Sequence, residues 1–258
     1  METMVPVDGG ELWTDDTGGA GPAVVLLHPG IGDSTIWDGV LAELAGRVRA
    51  IRYDVRAYGR STAATTQYTT LADLVAVLDH YRLGEVTLVG CSMGGATSLQ
   101  LALADPARVA SLLLVCPGIP GYPWPSDPEL SARLEPLAAA GDVDGMAEVG
   151  LELWAKAGVD EAARRQMRSA AAAWVNEDEF QHEGEPVLER LGELDSPSVI
   201  MVGDLDREPL IDSNEQAAAR IPHARLIRVP GADHLLPLRH PKLVATVLLE
   251  QLAVTPGR

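Results

Sequence analysis

Aromatic residues make up only 4% of the 258-residue sequence, and phenylalanine occurs once. The core must therefore be built from Leu, Val, Ala and Ile, and a hydrophobic content of 47% leaves ample material for that. The length suits one sizeable domain, or a domain carrying a large insertion. Basic residues are also scarce, with 20 Lys and Arg against 37 Asp and Glu and a formal net charge of −17. Phosphate recognition needs clustered Lys and Arg, so nucleic acid and anionic membrane surfaces are disfavoured as partners. The acidity reads as a soluble, self-repelling surface. Cysteine occurs twice, as Cys91 and Cys116, each at the end of an apolar run. Two such residues do not make a disulfide framework, and buried reduced thiols are expected. No apolar run approaches the roughly 18–20 residues of a membrane span. The first residues, METMVPVDGGELW, lack the basic and apolar stretches of a signal peptide, so the chain is expected to be cytoplasmic.

What is present is an alternation. AVVLLHP (23–29), VRAIRYD (48–54), EVTLVGC (85–91), VASLLLVC (109–116), SVIMVGD (198–204) and ARLIRVPG (224–231) are short apolar runs that read as strands. Helical patterns lie between them, at about 35–45, at 71–83 with Leu71, Leu74, Val75 and Leu78 on one face, from the glycines after Ser92 to about 104 and at about 213–220, and a closing one runs from 241 to about 253. Strands alternating with helices predict a parallel sheet buried on both faces. The alternation breaks after Cys116, where PGIPGYPWPSDP is rich in turns and residues from about 129 to 190 read as helices without a strand. A parallel-sheet domain, residues 1–116 and 197–258, is thus expected to be split by a helical insertion at 117–196. No internal repeat is visible.

The run at 85–91 passes directly into VGCSMGGA, so a strand-to-helix turn carries G-x-S-x-G as Gly90, Cys91, Ser92, Met93 and Gly94. In the nucleophile elbow this pattern holds a serine in a strained turn, where small neighbours let strand and helix approach. Alone the pattern is weak, and Ser92 could instead be a helix cap. A nucleophilic serine needs a base, and the base an orienting acid. GDLDREP (203–209) and GADHLLPL (231–238) each follow the end of a strand, on the edge where Ser92 would project.

Motifs and chain order together resemble the α/β-hydrolase fold superfamily, over about residues 23–252 apart from the insertion. That resemblance implies a mostly parallel central sheet flanked by helices, with a helical cap inserted after the sixth strand. Gly203, Asp206 and Pro209 approximate the family's stretch after the seventh strand, which implies Asp206 as the acid ahead of its competitors Asp204 and Asp233. The glycine-containing turn near the C-terminus implies His234 as the base. His80, His182, His223 and His240 have no motif context and are expected in surface or cap roles.

An oxyanion needs two donors. The residue after the nucleophile supplies the Met93 N–H. The loop HPGIGDS (28–34) supplies the second, and the family register points to Gly30, with Ile31 as second choice. Pro29 stands where relatives often have glycine, and it has no N–H to offer. His28 is expected to brace this loop, Asp54 and Arg56 in YDVRAYGRS (53–61) to stabilise the next one, and Trp37 to be core. Trp124, Trp154 and Trp174 fall in the insertion and either line an apolar pocket or hold its helices together; with Ile31 and Leu235 they form the expected pocket set.

The implied chemistry is acyl transfer through a Ser–His–Asp triad on a small neutral or weakly polar ester or lactone, with no metal or organic cofactor. Other triad chemistry on this scaffold (C–C bond hydrolysis, cofactor-free haloperoxidation, lyase activity) is the rival, and a non-catalytic binding protein is a more distant one. Oligomeric state and natural substrate are not legible.

Overall fold

The protein is described here by a computed structural model covering residues 1–175, 180–182 and 184–254. Its strands are β1 (Glu2–Val7), β2 (Gly10–Asp16), β3 (Ala23–Leu27), β4 (Arg49–Tyr53), β5 (Val86–Cys91), β6 (Val109–Val115), β7 (Ser198–Gly203) and β8 (Arg225–Val229). They form one sheet in the order β1-β2-β4-β3-β5-β6-β7-β8. Only β1 and β2 run antiparallel to their neighbours; β4, β3 and β5 to β8 pair in parallel. Parallel pairing puts the carboxyl ends of β3, β5, β6, β7 and β8 on one edge, with every candidate loop.

The apolar runs are nearly continuous because both sheet faces are covered. Val24 and Leu26 of β3 enter one apolar cluster while Val25 and Leu27 enter the other, and Leu113 and Val115 oppose Leu112 and Leu114 in the same way. Helices α1 (Asp38–Leu44) and α9 (Pro241–Val254) pack on the first face; α2 (Thr70–His80) and α3 (Met93–Ala104) pack on the second. Helix α7 (Glu208–Arg220) follows β7, and the short α8 (Leu236–Arg239) follows β8.

Between β6 and β7 lie α4 (Pro128–Ala139), α5 (Val143–Trp154) and α6 (Glu161–Trp174). Each opens on an aspartate that accepts a backbone N–H of its first turn: Asp127 from Leu130, Asp142 from Gly145 and Asp160 from Ala163. Aspartate suits this position because it satisfies an orphan donor and faces the positive end of the helix. Met146, Leu151, Met167 and Ala171 of α5 and α6 share the first cluster with Ile31, Ile36, Leu235 and Leu236. These helices therefore continue the core onto the loops after β3 and β8.

The structure adds one element and corrects one expectation. The hairpin of β1 and β2 was not anticipated, although Asp8 and Gly9 form its two-residue turn and Asp-Gly is a strong hairpin signal. The segment 129–190 is not helical throughout. Gln181 bridges Tyr68, with the Tyr68 N–H donating to the Phe180 carbonyl and the His182 N–H to that of Tyr68. A 3₁₀ turn then runs over Leu188–Glu193 and packs Leu188 and Leu191 in the cluster that holds Leu99 of α3. Residues 176–179 and 183, also expected to be helical, lie outside the described residues.

Candidate active site

Ser92 sits between β5 and α3 with φ 50° and ψ −111°, a conformation that is costly for a side chain bearing a Cβ. The two glycines of the motif explain how it is held. A Cβ on Gly90 would run into the Gly94 carbonyl, and one on Gly94 into the carbonyl of Leu27. Backbone bonds fix the turn, from Ser92 N–H to the Val115 carbonyl (3.1 Å) and from Gly118 N–H to the Ser92 carbonyl (2.9 Å). The side chain makes no capping hydrogen bond to α3, which removes the helix-cap explanation of this serine.

Asp206 and His234 meet, with His234 Nδ1 donating to Asp206 Oδ2 at 2.7 Å. Both side chains are buried. The other oxygen, Asp206 Oδ1, accepts the Arg207 N–H at 2.8 Å. A carboxylate can only accept, so Nδ1 carries the proton and Nε2 presents its lone pair. Nε2 is buried and, among the described residues, has no hydrogen-bond partner, Ser92 included. The Trp154 ring lies against the imidazole, with centroids 4.4 Å apart, and the Arg207 guanidinium stands 5.2 Å from that indole.

The competing aspartates have other employment. Asp204 accepts the Gly231 N–H at 2.7 Å, stitching the loop after β7 to the loop after β8. Asp233 is buried and accepts from the Leu235 N–H (3.1 Å), the Arg239 guanidinium (2.9 Å) and the Ala157 N–H (2.9 Å). It therefore ties the histidine turn to the segment joining α5 and α6.

Cys116, Asp206 and His234 place one ligand-type atom each within 4.8 Å of one another. Burial, with the charge of Asp206 next in weight, pushes the Cys116 thiol well above its usual range. A thiol that burial keeps protonated is a poor metal ligand, and His234 Nδ1 is already committed to Asp206. Cys91 is buried in the core, and burial pushes its thiol up as well.

The loop after β3 is held by side chains. His28 Nε2 accepts the Val55 N–H at 2.9 Å, which leaves Nδ1 to donate to the Pro29 carbonyl at 2.8 Å. With that carbonyl turned to His28, the trans peptide sends the Gly30 N–H to the opposite side. A Cβ on Gly30 would lie 3.8 Å from Met93 Sδ, so the two expected donor residues are neighbours. Among the described residues neither their N–H groups nor that of Ile31 is paired with a backbone acceptor outside regular elements. Asp54 receives the Ser34 and Arg60 N–H groups, and Arg56 pairs with Asp73 in the interior. Trp37 is fully buried.

The expected pocket set divides. Trp124, 43% exposed, lines a cavity of about 590 Å³ together with Met93, Thr97, Gln100, Gly118 and Tyr122. Trp154 covers His234. Ile31 and Leu235 are buried in the core cluster. Trp174 turns its indole N–H to the Gly30 carbonyl at 2.9 Å, a contact that sequence reasoning missed because 144 residues separate the partners.

Comparison with known proteins bears on the fold and the family. Over 107 residues the chain is 43% identical to an uncharacterized protein of Mycobacterium tuberculosis, a stretch covering 39% of this chain and 30% of that one. It thus spans about a third of the length of these first curated relatives. It is 34% identical over 100 residues to a pimeloyl-[acyl-carrier protein] methyl ester esterase of Nitrosomonas europaea, covering 39% of each chain. The fold of an esterase from Exiguobacterium antarcticum superposes with a TM-score of 0.83 at 23% identity, covering 98% of this chain and all of that one. The family model described as the alpha/beta hydrolase family matches residues 24–247, and the chain belongs to that family.

Proposed function

We propose that the protein hydrolyses a carboxylic ester or lactone through an acyl-enzyme on Ser92. The observation that carries this reading is the buried Asp206–His234 pair, whose Nε2 is unpartnered on the sheet edge that bears the strained serine turn. Catalytic hydrogen bonds are often long or poorly aligned before substrate binds, and tighten in the complex.

In the first step Ser92 Oγ attacks the substrate carbonyl while His234 Nε2 takes its proton. Asp206 holds the imidazole in the required tautomer and stabilises the imidazolium. The Gly30 and Met93 N–H groups receive the developing oxyanion. His234 then passes the proton to the departing alcohol, and the acyl group stays on Ser92. In the second step His234 takes a proton from water, the hydroxide attacks the acyl carbon, and Ser92 regains its proton as the acid leaves. A lactone differs only in that alcohol and acid stay joined. The segment between β6 and β7 acts here as a cap, and Trp154 against His234 with Trp124 on the cavity wall favour a neutral or weakly polar substrate.

The test is mass-spectrometric mapping of a fluorophosphonate probe on the native protein and on His234→Ala. A single adduct on Ser92, formed far more slowly without His234, is the expected outcome. Folded native protein that takes no label overturns the reading.

A further inference from the structure

Gly30 has a less restricted backbone than Pro29 and Ile31 on either side of it, because it has no Cβ. A donor on such a residue is useful only if the peptides on both sides are fixed. The peptide before it is held from within the core, by the bond from His28 Nδ1 to the Pro29 carbonyl. The peptide after it is held from α6, by the bond from Trp174 Nε1 to the Gly30 carbonyl at 2.9 Å. The Tyr58 hydroxyl stands at 3.5 Å from the same oxygen, a much weaker contact.

Trp174 does not act alone. The same helix carries Gln166, whose Oε1 accepts the Asp33 N–H at 3.0 Å and whose Nε2 donates to Thr35 Oγ1 at 2.7 Å. Ser169 Oγ donates to Asp33 Oδ2 at 2.6 Å. A Cβ on Gly32 would run into the Gln166 amide, so the loop is closed tightly against the helix. Four hydrogen bonds thus join one helix to residues 30–35. Apolar packing of Met167 against the core would cover a pocket without any of them. On the far side, a Cβ on Gly150 would meet Met167 and the Trp174 ring, so α5 presses close against the indole.

We infer that Trp174 is a positioning residue of the oxyanion hole, and that docking of α6 by Trp174, Gln166 and Ser169 completes the hole. This rests on the serine-hydrolase reading above. The core supplies one clamp on Gly30 and the inserted helix supplies the other. The Gly30 N–H is aimed for the tetrahedral state only while both hold. Substrate in its ground state gains little from that aim, because its carbonyl carries no full charge.

The experiment compares native protein with Trp174→Phe, which keeps an aromatic ring and removes the N–H, and with Gln166→Met, which keeps the volume and removes two loop bonds. Three quantities are read: turnover of p-nitrophenyl butyrate, inhibition by a trifluoromethyl ketone that forms a tetrahedral alkoxide on the serine, and inhibition by the matching methyl ketone. Deleting an oxyanion donor outright costs about 10²–10³ in kcat, and loosening one should cost about tenfold. The expected result is a roughly tenfold lower kcat with KM within twofold, and an equal loss of affinity for the trifluoromethyl ketone but not for the methyl ketone. Unchanged kcat and ketone inhibition in both variants overturn the positioning role. So does a loss shared equally by KM and both ketones, which would make Trp174 a substrate contact. Native protein that takes no fluorophosphonate label at Ser92 overturns the serine-hydrolase reading and this role together, so the two failures are distinguishable.

Discussion

At the scale of single residues the candidate site is a problem of holding side chains in one state. His234 has two nitrogens and one task. Asp206 settles which nitrogen carries the proton, and its own second oxygen is occupied by the Arg207 N–H, so the carboxylate cannot turn away. Asp206→Asn keeps the shape but offers an amide N–H that can drive the imidazole into the opposite tautomer. The fold should survive and kcat on an activated ester should fall by about 10⁴-fold, the size of the tautomer effect in a serine triad. A steady-state comparison at pH 7, with a thermal melt beside it, checks this. A fall below tenfold would show that Asp206 does not orient the base.

At the scale of elements, what was legible in the sequence divides by distance along the chain. Ser92, Asp206 and His234 each sit just past an apolar run, so local pattern pointed to their loops, and the resemblance to the α/β-hydrolase superfamily singled out Asp206 and His234 within them. The elbow glycines were legible for the same reason. The hydrogen bonds from α6 to the loop after β3 were not, because Gln166, Ser169 and Trp174 are ordinary helix residues until the fold brings them to Asp33, Thr35 and Gly30. Asp233 looked like a rival acid, whereas its neighbours Arg239 and Ala157 make it a brace. Asp33 shows how such a tie responds to pH. Burial is the largest influence and pushes its carboxyl up. The hydrogen bonds from Ser169 and Thr35 together outweigh it and leave the carboxyl below its ordinary value. A depressed folded value contributes stability above the ordinary carboxylate range and loses it as pH falls through the folded value. The native protein should therefore be more stable than Asp33→Asn at pH 6, and the gap should shrink below about pH 4, where carboxylates begin to take up protons in the unfolded chain. Denaturant melts at stepped pH read this directly. A gap that is constant down to pH 3 would mean that the Asp33 charge does nothing for α6.

At the scale of the whole molecule, the formal charge of −17 sets a field that no single contact describes. Three of those carboxylates cap α4, α5 and α6, and others are paired with arginines, yet the sum remains strongly negative. Two arginines adjoin the groups around His234: Arg239 is committed to Asp233, and Arg207 stands over Trp154 and pairs loosely with Asp127 at 3.8 Å. A substrate bearing a carboxylate must therefore approach against the field before it can meet Arg207. Salt screens that approach, since the Debye length falls from about 30 Å at 0.01 M to roughly 8 Å at 0.15 M. For a matched pair of esters, one neutral and one carrying a carboxylate, kcat/KM of the anionic ester should rise severalfold between 0.01 and 0.3 M NaCl. The neutral ester should change by less than twofold, because it feels no net force from the surface. A fall for the anionic ester would mean that Arg207 outweighs the rest of the surface at the mouth of the site. In that case the preferred substrate would be anionic, and the neutral-substrate reading would give way to it.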